Sequence, residues 1–535
     1  MALDQTNPRW DIEQARQEFS ALRTRARGGF LIPSRSSASA AAKQVLVFLI
    51  PSFIQNIVYP SAKPKSGNSN SPRPTAWLDG MRGIAALLVY FYHLSYSTHD
   101  VYTGWSPGHY QLLRLPFIKS LYNGPAMVSL FFVLSGYALS YKPVKQMRNG
   151  EYNALFSGLS SSVFRRMVRL YLPCVASTLM IVVLIRLGFY QSTMELANDA
   201  DRLFGTREHH AWRYDTTTEQ VWVWMRSFWG FVNPFTEVGL GKGIYMDGHL
   251  WTIPVEYRAS IILYATQLGL SRLRPILRIM SLVCLMIWTH RVDNWTMTLF
   301  YGGFLMAELD IRRITTPKVP QETGATTTIK LLWSATYITV FLCGVFLASQ
   351  PERNVENTAV WSTVMTLVPE FIIDRWRYWT SWAAMMIVWS TSNHRMLQRL
   401  FDNSVSQYFG KISFSLYLIH GSIIHTLGYS LLETSWRIIG EDRKETCFVL
   451  VAACVTVVSI WWADVFMRLV DIPSVTFARW LEAKCAARKP IEDKEEPAWR
   501  GAGALVYTPH AIYSVLSNAP TSCSTKRVSP TGRGM

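Results

Sequence analysis

Between residues 77 and 470 the chain alternates long apolar stretches with short polar ones. Ten of the apolar stretches are read as helical spans: 77–97, 124–141, 167–190, 250–270, 276–290, 295–309, 329–349, 376–392, 409–430 and 447–470. A bilayer core of about 30 Å takes roughly 20 helical residues, so the shorter stretches require tilt or local thinning. The pattern predicts an all-α fold, a polytopic transmembrane helix bundle with about ten spans.

Two regions break the alternation. Residues 44–59 (QVLVFLIPSFIQNIVY) are apolar for half a span and interrupted by Pro51, which fits a re-entrant or interfacial segment. The loop 190–249 carries VWVWMRSFWGFVNPF (221–235), whose aromatics fit a segment lying in the interface or capping the bundle. Residues 61–75 read as a Pro/Ser/Asn linker, and the chain from about 486 is rich in Ser, Pro, Thr and Gly and reads as disordered. Three regions result: 1–75, a basic tail with the half-span and linker; 76–472, the transmembrane domain; and 473–535, a basic, largely disordered tail.

Composition agrees with a membrane solvent. Of 535 residues 49% are apolar and only 17% charged, fewer charged than in an average soluble domain. The net charge of +17 raises nucleic acid as a partner, but Lys and Arg sit in short clusters between apolar runs, so none is expected. The polar start has no signal-peptide pattern and is assigned to the cytosol. The loops then falling on the cytosolic side (142–169, 271–278, 310–330, 394–411) hold 16 Lys/Arg in 75 residues, against 14 in 138 in the opposite loops. That bias supports the orientation. Seven cysteines are scattered without ligand or redox spacing, so neither structural zinc nor a disulfide framework is expected.

Ionisable residues inside spans are costly and usually functional. Arg82 and His93 share the first span; eleven steps of about 100° bring both to one face, with about 16 Å of rise between them. Arg165, Arg166 and Arg169 enter the third span on the side of Arg82, and guanidiniums gathered at one mouth suit a polyanion. His93 can accept and return a hydroxyl proton. In DGHLWTIPVEY (247–257), His249 and Glu256 lie two turns apart with Pro254 between them, where it would bend the helix. Glu256 can orient an imidazole, bind an acceptor hydroxyl or pair with an Arg. His420, in the ninth span, is a secondary candidate.

Five segments in order, WLDGMRGIAALLVYFYHL (77–94), FFVLSGYALS (131–140), FRRMVRLYLP (164–173), GHLWTIPVEY (248–257) and GKISFSLYLIHG (410–421), resemble the acyltransferase type 3 family of integral membrane acyltransferases. The resemblance covers about residues 75–470. It puts an Arg-x10-His motif on Arg82 and His93, an Arg-x-x-Arg motif on Arg166 and Arg169, and the fourth-span Glu on Glu256. The family pattern often has Ser near the positions of Thr252 and Pro254. The resemblance implies an acyl-CoA donor, commonly acetyl-CoA, as a substrate with no bound cofactor or metal, and a hydroxyl acceptor that is a small molecule, such as a secondary metabolite, or a glycan. The expected roles are His93 and Glu256 in catalysis, Arg82, Arg166 and Arg169 at the donor, and His249 and His420 at the acceptor, in a multi-pass protein of an internal membrane. The rival is a transporter or channel using Arg and His as an anion or proton path, against which stands the absence of related halves.

Overall fold

A computed structural model describes residues 46–58, 75–233, 244–315 and 326–486. The expectations for the polar amino terminus, most of the linker and nearly all of the tail fall outside the described residues. One compact unit extends to Lys484. Its described part is helical, and the only pairings of the extended kind are isolated bridges, Thr103 with Arg353 and Ile244 with Asp247.

The main helices are α1 (Ala76–Ser95), α2 (Gly124–Asn149), α3 (Tyr152–Arg186), α4 (Thr217–Val232), α5 (Thr252–Leu270), α6 (Pro275–Arg291), α7 (Trp295–Thr315), α8 (Thr326–Leu347), α9 (Arg375–Asn393), α10 (Ser404–Ile423) and α11 (Lys444–Phe466). Each of the ten apolar stretches falls largely on one of them. By length and composition, four described helical stretches can cross a membrane: Gly124–Asn149, Tyr152–Arg186, Thr328–Leu347 and Glu441–Cys485. Others, α1 among them, have their apolar character diluted by the polar residues they carry inward.

α1 lies between α10 and α2; α2 packs on α7, α8 on α9 and α10 on α11. Through Met81, Ala85 and Val89, α1 joins a core built with α2, α5, α7 and α9, and through Tyr90 and Leu94 a second core with α3, α10 and α11. Its crossing with α10 is close: a Cβ on Gly83 would collide with the backbone of Phe409 and Gly410. α8 turns Leu331, Leu332, Trp333 and Leu342 outward, and α3 and α11 turn out Val183 and Val457. Such wide apolar faces fit a lipid solvent.

Three local outcomes refine the sequence reading. Pro254 does not bend α5; it sits in the first turn, where a missing N–H costs little. His249 precedes α5, in the 3-10 turn Gly248–Trp251. The half-span at Pro51 packs along the end of α11: Ser52 Oγ donates to Asp464 at 2.5 Å, and Trp461 Nε1 donates to the Leu49 carbonyl at 2.7 Å. Beyond α11 the helix continues through a π turn (Met467–Asp471) to Cys485.

Candidate active site

α1 presents Arg82 and His93 to two different environments. Around Arg82, Arg166 from α3 places Nη2 2.6 Å from Glu256 Oε1 and donates from Nε to Ser260 Oγ at 3.1 Å. Ser135 from α2 donates to the same carboxylate oxygen at 3.2 Å. Arg82 is 3.6 Å from Asp79, one turn earlier. Arg169 is exposed yet lies within the electrostatic field of Arg166, Arg82, Asp471 and Glu256, and has no ion-pair partner among the described residues. The three arginines read from the sequence therefore gather in one place, with one cation left open to an anion. Arg165 turns away to Glu482, at 3.1 Å.

Glu256 belongs to this group and not to His93. Seven residues separate it from His249, about 10 Å at helical rise, and bring it one turn into α5 and into reach of Arg166. Of the three roles open to it, the structure gives it the pairing with an arginine.

At the other end of α1, His93 meets His249 with ring centroids 4.1 Å apart and His420 at 5.2 Å, and His249 and His420 are 4.7 Å apart. Three sequence candidates thus converge. Gly421 makes room for this: a Cβ there would lie 2.7 Å from His249 Nδ1. The turn is held from α10, where the Tyr417 hydroxyl donates to the His249 carbonyl at 2.5 Å and so accepts from Thr252 Oγ1 at 2.6 Å.

The carboxylates of this end were not singled out from the sequence. Asp247 Oδ1 accepts from the His249 backbone N–H at 3.1 Å and from Nδ1 at 2.9 Å. Glu208, from the loop between α3 and α4, puts Oε1 2.8 Å from His249 Nε2 and 3.6 Å from His93 Nδ1, and Oε2 3.2 Å from His425 Nε2. His249 thus lies between two carboxylates. Burial alone would raise the pKa of Glu208 and lower that of His249; their mutual attraction reverses both shifts, with His425 adding to it at Glu208 and Asp247 adding to it at His249, so Glu208 is held as the anion and His249 as the cation.

A further pair extends the cluster. Burial, with His425 beside it, pushes the pKa of His210 down to about 4. His210 is then neutral; its Nε2 donates to the Tyr190 carbonyl at 2.8 Å, so its Nδ1 accepts from His425 Nδ1 at 2.9 Å. His425 occupies the π turn Ile424–Gly428, and Thr193 Oγ1 donates to its carbonyl at 2.9 Å. Five of the chain's 11 histidines, His93, His210, His249, His420 and His425, are therefore linked in this one cluster, and a sixth, His209, lies at its edge. The sequence signal that could have flagged the loop is Glu208-His209-His210, a carboxylate beside two histidines.

The cluster has the donors for a cation and borders a cleft. One ring nitrogen from each of His93, His249 and His420 lies within 4.8 Å of the others, a set able to surround a metal ion, although both nitrogens of His249 already face carboxylates. His420 directs Nδ1 to the carbonyls of Leu416 and Tyr417, which makes Nδ1 the donor and leaves Nε2 as a lone pair, buried and without a hydrogen-bond partner. A narrow cleft with room for about one water molecule adjoins the cluster, lined among others by Glu208, His209, Asp247 and His249. The arrangement can take up and return a proton at one end of α1 and hold a polyanion at the other.

The sequence is similar to known proteins over most of its length. Residues 75–468 match the family described as acyltransferase domain. O-acetyltransferase PaAT-1 of Phomopsis amygdali is 30% identical over 466 residues, 82% of this chain and 90% of that protein. Acyltransferase clz18 of Cochliobolus lunatus is 26% identical (76% and 95%), and acyltransferase R4 of Phoma sp. is 25% identical (75% and 95%). No solved structure matches. The family match over most of the chain, with a relative of this identity and coverage, shows that the chain belongs to the acyltransferase type 3 family.

Proposed function

We propose that the chain is a multi-pass acyltransferase with about ten spans, which moves an acyl group, most simply acetyl, from acyl-CoA to a hydroxyl of a small molecule such as a secondary metabolite. The relative named as an O-acetyltransferase supports both the acetyl group and the oxygen acceptor. The observation that carries the reading is the pair of environments on α1: gathered guanidiniums around Arg82 and Arg169, and the imidazole cluster around His93, about 16 Å apart along one helix. That separation suits a long, thin donor whose charged end and reactive end must be held at once.

The phosphates of acyl-CoA are assigned to Arg82, Arg166 and Arg169, with Glu256 anchoring Arg166. Arg169, exposed and without an ion-pair partner among the described residues, supplies the readiest charge. The acceptor is assigned to the cleft that His249 lines, with His420, whose ring centroid is 4.7 Å from that of His249, assigned to it from behind that ring. His93 Nε2 takes the hydroxyl proton as the oxygen attacks the thioester carbon. The resulting tetrahedral adduct expels the CoA thiolate, which receives that proton from His93, so the reaction closes on an ester and CoA thiol. No covalent enzyme intermediate is required. The domain is assigned to residues 76–472, and the enzyme to an internal membrane.

Membranes from cells producing wild type or His93→Ala test this. They are supplied with radiolabelled acetyl-CoA and an extract of hydroxylated metabolites, and label in the organic phase is followed. A fall of at least about 100-fold in the variant is expected for loss of a general base. Equal transfer by the two proteins removes His93 from the mechanism, and transfer by neither removes the assignment of donor and acceptor.

A further inference from the structure

We infer that Glu208 is the positioning residue of His93, the carboxylate that sets which imidazole nitrogen is free to act as base. The inference rests on the reading of His93 given above and adds a residue from outside the five segments that carry the family resemblance. It assigns to a loop carboxylate the orienting role that the sequence left open for Glu256.

Four observations support it. First, Glu208 cannot turn freely, because His249 engages Oε1 at 2.8 Å and His425 engages Oε2 at 3.2 Å. Second, those two imidazoles are fixed in turn, His249 by Asp247 at 2.9 Å and His425 by His210 at 2.9 Å. Third, His93 Nδ1 is buried and without a hydrogen-bond partner, and the carboxylate it faces is Glu208, with Oε1 at 3.6 Å. A buried ring N–H requires an acceptor, and catalytic contacts that are long in an unliganded site tighten when substrate closes it. Fourth, two further imidazole nitrogens of the cluster have no hydrogen-bond partner among the described residues, and neither competes for the His93 role: His249 Nε2 already faces Glu208 as an ion pair at 2.8 Å, and His420 Nε2, with Nδ1 committed to backbone carbonyls, has no proton to give.

The consequence is a choice of tautomer. An anion beside Nδ1 favours the proton on Nδ1, which leaves the lone pair on Nε2. The same anion stabilises the imidazolium that forms when Nε2 takes the hydroxyl proton, and it raises the basicity of that nitrogen, as a carboxylate does for an imidazole it orients. Without Glu208, His93 keeps its place on α1 but loses the bias between its two nitrogens.

The test uses the full chain in membranes, with two readouts. Diethyl pyrocarbonate acylates an unprotonated imidazole nitrogen, and mass spectrometry of the His93 peptide gives the rate with no acceptor needed. Glu208→Gln is expected to slow His93 modification at least about fivefold through loss of basicity. Glu208→Asp, which keeps the charge, is expected to restore most of the rate, and it also serves where Glu208→Gln fails to fold: modification faster than in unfolded chain then supports the assignment. An unchanged His93 rate in folded Glu208→Gln overturns it. The second readout is acetyl transfer: Glu208→Gln should lower kcat about 100-fold with KM for acetyl-CoA within about threefold, and Glu208→Asp should regain at least about tenfold of the loss. A rise in KM with unchanged kcat overturns the positioning role. If His93→Ala transfers label as well as wild type, the base assignment fails, while the modification rate still reports whether Glu208 acts on His93.

Discussion

The two ends of α1 hold charge by different means. Near Arg82 the cations come from helices, and their carboxylates come from helices too: Asp79 one turn earlier on α1, Glu256 one turn into α5. Near His93 the imidazoles come from α1, α10 and the turn before α5, but the carboxylate that faces them comes from a loop, at Glu208. The first end is partly open and keeps Arg169 exposed; the second has Asp247, His249, His420 and His425 buried. An open cationic end suits a ligand that must arrive and leave with its own charge. A closed imidazole end suits proton transfer, where competing water would weaken every polar contact.

The comparison is broken most severely at the closed end. His249→Asn removes one nitrogen from between Asp247 and Glu208 and leaves Glu208 facing His93 without its principal cation. Expected is a fall in kcat of about 100-fold with KM for acetyl-CoA within about threefold, measured as label transfer over a range of acetyl-CoA concentrations. A change confined to KM would place the donor's charged end at the wrong end of α1.

At the open end the effect is smaller and appears in the other constant. Arg169→Gln removes the exposed cation, which has no ion-pair partner to strand. Loss of a charge-assisted contact to phosphate of about 1.5 kcal/mol corresponds to roughly a tenfold rise in KM for acetyl-CoA, with kcat nearly constant. A fall in kcat without a change in KM would show that Arg169 does not hold the donor. Arg166 is less suited to this test, since its removal leaves Glu256 without its guanidinium and couples binding to stability.

What was legible in the sequence follows the same division. Spacing within one helix placed Arg82 and His93, and Arg166 with Arg169, because 3.6 residues per turn fixes which side chains share a face. The placement of His249 and His420 beside His93 depends on how neighbouring helices pack, so both were legible as candidates but not as neighbours of His93. Glu256 was drawn toward His93 by its distance from His249, but two turns of rise separate those residues along the axis. Glu208 was not legible, because a long connection between helices has no period that says where it returns. Pro254 shows the same limit at small scale: the residue is visible in the sequence, but whether it kinks a helix depends on where the first turn begins.

The smallest expected effect separates the two ends by screening. Arg82 has a side chain 31% exposed and a loose contact of 3.6 Å to Asp79. Arg82→Lys keeps the charge and gives up the planar fork, so it should raise KM for acetyl-CoA only about two- to threefold, near the weight of one exposed ion pair. Raising ionic strength from about 0.01 M to 0.15 M shortens the screening length from about 30 Å to 8 Å. Wild-type KM should therefore rise with salt as the guanidiniums lose their reach, and KM of Arg82→Lys, which keeps the charge, should rise in parallel. The kcat deficit of His249→Asn should hold steady over the same range, because its partners are largely buried and counterions do not enter between them. A kcat deficit that moved with salt as KM does would mean that the imidazole end is as open as the guanidinium end, and the division of labour along α1 would fail.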